Sequence, residues 1–452
     1  MDRIAAHIES LPSQPSVDVE GGVELARSLA EPLPETPTPY AQFLDLLFER
    51  AVPKSFNTAG PGYLAYIPGG GLFHTALADL IADAVNRYVG VWAAAPALVQ
   101  LEANVGRWFC DVVGYPAGAL GLLTSGGSLA NFTAVVTARR ERLPEDFLRG
   151  VLYASDQVHH SVQKAAMLAG FPPQNVHAVA SDARFRLDLE ALRSALAVDR
   201  AAGRTPFLVV GNAGTTNTGA VDDLAALADL ARTEGLWLHV DAAYGGFFLL
   251  TERGRRIMRG IERADSVSLD PHKGLFLPYG TGALVVRDGG ALRRAHGMHA
   301  DYLPALPQES DLIDFSEVSP ELSRPFRGLR VWLPLKMLGL TAFRRALDEK
   351  LDLAAWAADE LRKIPGIEVV AEPELSLLAF RLRQPGLDGP GLDALNRSFL
   401  ERVNARRRVY LTGTVAHGRF LCRICVLSFR THLDRMRAAV EDIRAAVAEV
   451  GV

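Results

Sequence analysis

Between Leu122 and Val286, five short apolar runs alternate with stretches of helical periodicity: Val151–Ser155, Phe207–Gly211, Trp237–Asp241, Ser266–Leu269 and Ala283–Val286. Runs this short suit buried strands, and strands separated by helices are joined by crossovers that leave neighbours parallel. The alternation therefore predicts an α/β fold with helices packed on a mostly parallel sheet. At 452 residues the chain exceeds one ordinary core, so two or three packed units are expected. Residues 1–62 read as helical fragments broken by Pro32, Pro34, Pro37 and Pro39, an N-terminal arm. Residues 63–328 read as the large domain, with a polar, proline-bearing segment near 298–324 as a mobile loop. Residues 329–452 read as a smaller α+β domain. It opens with a long helix from Leu329 to Lys363 kinked at Pro334, carries strands Leu375–Leu382 and Phe420–Ser428, and closes with an amphipathic helix over His432–Val450.

Composition narrows the function. Hydrophobic residues at 49% with charged residues at 22% fit a globular protein. A formal net charge of -4 provides no basic field for a nucleic-acid backbone, and Arg406–Arg408 reads as a solvated helix end, so no nucleic-acid partner is expected. Three cysteines, Cys110, Cys422 and Cys425, cannot frame a chain this size with disulfides, which points to a reducing, cytoplasmic setting. Met1–Ser16 lacks the apolar core of a secretion signal, and no apolar run is long enough to span a bilayer. A small-molecule partner is the remaining expectation.

Four segments carry chemistry. Leu122–Asn131 (LLTSGGSLAN) leads from a strand or turn into a helix; Gly126 and Gly127 allow close approach of backbone N–H groups, and Ser128 can cap the helix or donate to a phosphate. Leu236–Gly246 (LWLHVDAAYGG) is a buried strand ending in Asp241, a carboxylate that needs a cationic partner. A protonated pyridine nitrogen would serve, with Ala243 leaving room for a flat ring. Ser266–Gly274 (SVSLDPHKG) sets Lys273 just past another strand, at the sheet edge where α/β proteins bind ligands. An amine there, partly desolvated, could attack an aldehyde. Val151–Ala165 (VLYASDQVHHSVQKA) places His159 at a strand–helix junction, where its ring could stack on a cofactor. Each segment has an ordinary alternative: a serine-capped glycine turn, an aspartate capping its own turn, a surface lysine. A metal site is not expected, because HExxH is absent and Cys422-x-x-Cys425 has no second cysteine pair and reads as packing.

In this order the four segments resemble the group II pyridoxal-phosphate-dependent amino acid decarboxylases, which include aromatic L-amino acid, histidine and glutamate decarboxylases. The likeness runs from Tyr63–Pro68 (YLAYIP) and Trp92–Pro96 (WAAAP) through Asp241 and Lys273 to Phe420–Thr431. It implies the fold type I architecture of pyridoxal-phosphate-dependent transferases, with a seven-stranded large domain. It also implies a homodimer with its site at the subunit interface. Pyridoxal 5'-phosphate would be held by Lys273 as a Schiff base, with Asp241 on the ring nitrogen, His159 on the ring face and Ala243 beneath it. Gly127, Ser128, His272 and Asp270 would surround the phosphate, and Thr216 would lie near the cofactor. The animal enzymes usually have Asn at the Asp270 position. Tyr302 resembles a tyrosine that reaches the neighbouring subunit's site and protonates the carbanionic carbon. Tyr66, Ile67 and His159 would meet the substrate. Ile67 replaces a common Phe, and Gly90 stands where a bulky residue is common. The implied reaction is decarboxylation of an aromatic or bulky apolar L-amino acid to amine and CO2. Aldehyde synthase, aminotransferase and lyase chemistry on the same fold remain alternatives, as does a non-catalytic scaffold. Tyr302 favours simple decarboxylation, because many aldehyde-forming relatives carry Phe there.

Overall fold

In the computed structural model, residues 1–298 and 312–451 are described. The chain forms two compact units: 71–351 with 373–375, and 1–70 with 352–372 and 376–452.

The larger unit is built on a seven-stranded sheet. Its strands are β1 (Leu120–Thr124), β2 (Gly150–Ser155), β3 (Val176–Val179), β4 (Thr205–Asn212), β5 (Trp237–Asp241), β6 (Ser266–Leu269) and β7 (Gly282–Val286). They lie in the order β1-β7-β6-β5-β4-β2-β3. β7 pairs antiparallel with both its neighbours, and every other pairing is parallel. Residues of both faces of β2 and β5 are buried, as expected where helices cover a parallel sheet. Leu122, Leu152, Leu208, Val210 and Leu284 pack with Ala130, Ala134 and Ala138 of the helix Gly127–Arg142. Each such buried aliphatic side chain is worth roughly 1.5–3 kcal/mol. The alanine stripe lets that helix lie close on the sheet, which fixes its N-terminus at the strand ends.

The smaller unit carries an antiparallel sheet in the order β10-β11-β9-β8, formed by β8 (Ile367–Ala371), β9 (Leu377–Leu382), β10 (Thr412–Ala416) and β11 (Arg419–Cys425). The N-terminal segment belongs to this unit and is not a separate arm. Leu64 is fully buried among Leu378, Phe380, Val409 and Ile424, and the Ser16 hydroxyl donates to the Arg408 carbonyl. The division expected at 62/63 therefore falls at Gly70/Gly71, because Leu64 sits in the core of this unit, with Tyr63, Ala65 and Ile67 also buried.

The second expected boundary is also displaced. The helix expected from Leu329 to Lys363 is two, Arg327–Leu338 and Leu340–Arg362, and the first lies in the larger unit. The break falls at Gly339, in the left-handed region at φ 72°, while Pro334 sits inside the first helix. Of the segment expected to be mobile near 298–324, residues 312–324 are packed. Phe315 is buried, and Arg324 forms an ion pair with Glu102 at 2.5 Å in which neither side chain is exposed. The Arg324 guanidinium also lies over the Phe315 ring and donates to the Leu123 carbonyl. Among the described residues no helix is long and apolar enough to cross a membrane.

Candidate active site

Register places several strand ends side by side. Asp241 pairs with Asn212 on one side and Ser268 on the other, and Thr124 pairs with Gly282. Just beyond this edge of the larger unit lies a cavity of about 280 Å³. Its walls include Gly127, Ser128, His159, Thr216, Asp241, Ala243, Asp270, His272 and Lys273. The nine cofactor-side residues expected from sequence are thus brought together.

The helix Gly127–Arg142 starts on the cavity wall. Ser128 lies in its first turn and is not the cap; Gly126 holds the cap position without a side-chain bond. The first intrahelical bonds run from Leu129 and Ala130 to the Gly126 carbonyl, so the N–H groups of Gly127 and Ser128 precede them and point out of the helix end. A side chain at Gly127 would bring a Cβ within 3.0 Å of both Ala243 Cβ and Asp270 Oδ2. Only glycine leaves that corner open.

Asp241 ends β5 as a buried carboxylate. It accepts from Asn131 Nδ2 at 2.9 Å, the Ala243 N–H at 3.1 Å and Ser268 Oγ at 3.2 Å. Burial pushes its pKa upward, but the Lys273 charge and the Asn131 hydrogen bond outweigh that and hold it below the ordinary aspartate value. Asp241 is therefore an anion poised for a cation. The turn-capping alternative is also realised, since the Ala243 N–H is one of its donors.

Lys273 stands in a short helical turn, Pro271–Gly274, directly after β6. Its Nζ lies 2.8 Å from Asp270 Oδ2, and its side chain is only 20% exposed. Among the described residues the other Asp270 oxygen, Oδ1, is buried with no hydrogen-bond partner. His272 Nδ1 donates to the Thr281 carbonyl at 2.7 Å, and burial lowers its pKa, so its Nε2 is available to the cavity. His159 is the N-cap of the helix His160–Leu168 and accepts the Ser161 N–H. Burial, then the charges of His160 and Lys273, lower the His159 pKa against the opposing pull of Asp241, which keeps its ring neutral.

The expected substrate residues Tyr66 and Ile67 belong to the smaller unit. Tyr66 is half exposed with its backbone in the left-handed region at φ 50°. Its N–H donates to Thr412 Oγ1 at 3.2 Å and its carbonyl accepts from Arg423 at 3.2 Å, while Ile67 is buried. A non-glycine residue held at positive φ by two hydrogen bonds is the kind of strain that the surrounding fold must over-determine. Tyr302 lies outside the described residues. A Cβ at Gly90 would meet the Tyr88 hydroxyl and the Leu322 carbonyl at 2.6 and 2.7 Å, so the chain has no room for bulk there. Among the described residues no His/Cys/Asp/Glu cluster could hold a metal, and Cys422 and Cys425 are buried and not joined in a disulfide.

Several polar residues of the site were not singled out by sequence. Asn131, Ser161, His239 and Ser268 join Asp241 and His159 through hydrogen bonds. A period-based signal exists for two of them: Asn131 is four residues past Gly127 on one helix face, and His239 is two residues before Asp241 on one strand face.

The donor set fits one kind of group. An open glycine corner at a helix N-terminus suits a phosphate, a buried anion suits a ring nitrogen that carries a proton, and a half-shielded amine suits an aldehyde. The fold and the cavity thus define a pyridoxal-phosphate enzyme. The chain belongs to the pyridoxal-dependent decarboxylase family, whose conserved domain matches residues 25–383. It is a pyridoxal-phosphate-dependent amino acid decarboxylase. An aromatic-L-amino-acid decarboxylase of Bacillus atrophaeus is 34% identical over 456 residues, covering 100% of this chain and 95% of that one. That of Sus scrofa is 30% identical over 472 residues, covering 100% and 95%. The crystal structure of Oryza sativa TDC with PLP and tryptamine superposes with a TM-score of 0.93 at 29% identity, covering 99% of this chain and 96% of that one.

Proposed function

We propose that the substrate is an aromatic or bulky apolar L-amino acid, released as its amine and CO2. The observation that carries this reading is the single cavity in which the Lys273 amine, the ionised Asp241 and the neutral His159 ring meet at the strand ends. The aromatic preference rests on the relatives, whose names specify aromatic amino acids.

When bound, pyridoxal phosphate supplies a conjugated electron sink for the pair left by the departing carboxylate. The rest falls to this chain's own groups. Lys273 would contribute the amine that holds the cofactor. Asp241 keeps a proton on the ring nitrogen by offering it a fixed negative charge in a buried setting. His159 would cover the ring face, and Ala243 would leave room for the ring. The Gly127 and Ser128 N–H groups would hold the phosphate, with His272 beside it, and Thr216 would border the cofactor. Asp270 pairs with Lys273 while that amine carries a proton. Tyr302 delivers the proton to the Cα atom, and Tyr66 and Ile67 shape the side-chain pocket. Positioning and charge stabilisation do most of the work.

A homodimer is part of the same reading. The N-terminal segment exposes Leu33 at 90% and Tyr40 at 75%, with Phe43 and Leu47 also outward, more apolar surface than a solitary short segment tolerates. In the larger unit, Leu80, Ile81 and Val85 project from the helix Phe73–Val85 into solvent. Three buried cysteines outside any disulfide support a reducing, cytoplasmic setting.

The test is a screen of the standard L-amino acids with the purified, cofactor-loaded protein, measuring CO2, amine, aldehyde and ammonia together. CO2 and amine in equal amounts from an aromatic substrate is the expected result. Aldehyde and ammonia in place of amine, with CO2 still released, would replace simple decarboxylation by the oxidative reaction, and turnover confined to acidic or small substrates would refute the aromatic assignment.

A further inference from the structure

The polar residues behind the cavity form a chain whose direction is fixed at both ends. At one end Trp237 Nε1–H, which can only donate, reaches Ser266 Oγ at 2.9 Å. At the other the Asp241 carboxylate can only accept, so the Asn131 amide must turn its nitrogen toward it, at 2.9 Å. That orientation points Asn131 Oδ1 at His239 Nε2, 3.0 Å away, which must then carry the ring proton. His239 Nδ1 is left as an acceptor, and Ser266 Oγ, 2.9 Å away, has its own hydrogen to give because its lone pair already takes the indole N–H. Every hydrogen is used once.

The second Asn131 N–H opens a branch. It donates to Ser161 Oγ at 3.0 Å, and Ser161 Oγ, 2.8 Å from His159 Nδ1, passes its own hydrogen on. The Ser161 backbone N–H also points at His159 Nδ1, at 3.3 Å. His159 Nδ1 is therefore an acceptor twice over, and the proton of the neutral ring sits on Nε2. Asn131, His239, Ser266 and Ser161 are all buried, so water does not compete for these bonds.

Resting on the function proposed above, we propose that Asn131 is a positioning residue whose one amide sets two groups at once. It holds Asp241 ionised toward the ring nitrogen, and it fixes His159 as the Nε2–H tautomer. His239 keeps the amide from turning over, and Trp237 with Ser266 keeps His239 in register. Burial depresses the His239 pKa to about 4, consistent with the neutral ring this arrangement requires.

The experiment uses holoenzyme loaded with cofactor carrying 15N in the pyridine ring, whose resonance in solid-state NMR separates a protonated from an unprotonated ring nitrogen. The wild type is expected to show the protonated form. In Asn131→Leu the resonance shifts toward the unprotonated form, and kcat/KM falls about tenfold to a hundredfold, the worth of one hydrogen bond to a charged group. The loss lies in kcat. A residue that merely filled space would leave the ring-nitrogen signal where it was. His239→Phe leaves Asn131 in place but cannot orient it, and shifts the same resonance in the same direction by less; this variant decides the matter if Asn131→Leu does not accumulate as folded holoenzyme. A wild-type ring-nitrogen signal in either folded variant overturns the proposal. A wild-type protein that takes up no cofactor would instead refute the function on which it rests.

Discussion

Lowering the pH from 7 to 5 should destabilise the folded chain through His239 in particular. Its ring is fully buried in β5, and burial, only partly offset by the Asp241 charge, drops its pKa from an ordinary 6.5 to about 4. As pH falls through 6.5 the unfolded chain gains a proton on this histidine, whereas the folded chain gains it only near 4. Between those values the unfolded state binds more protons, so stability is present above pH 6.5 and drains away toward pH 4. The full window is worth about 3 kcal/mol, of which about 2 kcal/mol is lost between pH 7 and pH 5. His296, also depressed to about 4 by burial, adds a loss of the same sign. The contribution of His239 is isolated by comparing wild type with His239→Gln, which cannot titrate. Urea unfolding of the cofactor-free protein at pH 7, 6 and 5 should give the wild type the steeper fall, by about 2 kcal/mol over the range. Parallel slopes would show that His239 is not held neutral by the fold, and would remove the directional argument for Asn131.

Three further outcomes are expected. Asp241→Asn removes the fixed charge opposite the ring nitrogen and should lower kcat for CO2 release by about 10²- to 10³-fold, with folding preserved by circular dichroism. Glu102→Gln leaves Arg324 charged and buried and should cost about 3–5 kcal/mol in urea unfolding. In Asp270→Asn, Lys273 loses the carboxylate that holds its proton and the phosphate loses a like charge nearby. Cofactor capture, followed by stopped-flow absorbance, should speed up about tenfold; slower capture would show that Asp270 helps hold the cofactor.

The sheet was legible because its central strands are short, largely apolar runs separated by helical stretches. β2, β4, β5, β6 and β7 fall within two residues of the apolar runs at their ends. β3 was missed because it is short and only partly buried, a pairing set by its neighbour β2 more than by its own composition. β8 and β10 were missed for the same reason, their residues being largely half-exposed. The arm misled because proline joints hide the fact that the chain just beyond them enters the core of the smaller unit at Leu64. At the site, Lys273, Asp241 and His159 were legible because their chemistry is rare at strand ends. Asn131 and His239 were not, since an amide on a helix and a histidine inside a strand declare no role until the pairing of β5 with β6 and the docking of the Gly127–Arg142 helix bring them together.

Whether Lys273 carries the cofactor is decided by reducing the loaded protein with borohydride. After digestion and mass spectrometry, the phosphopyridoxyl group should be found on the peptide containing Lys273 and nowhere else. A label on another lysine, or none on a protein that is yellow before reduction and colourless after it, would contradict the account.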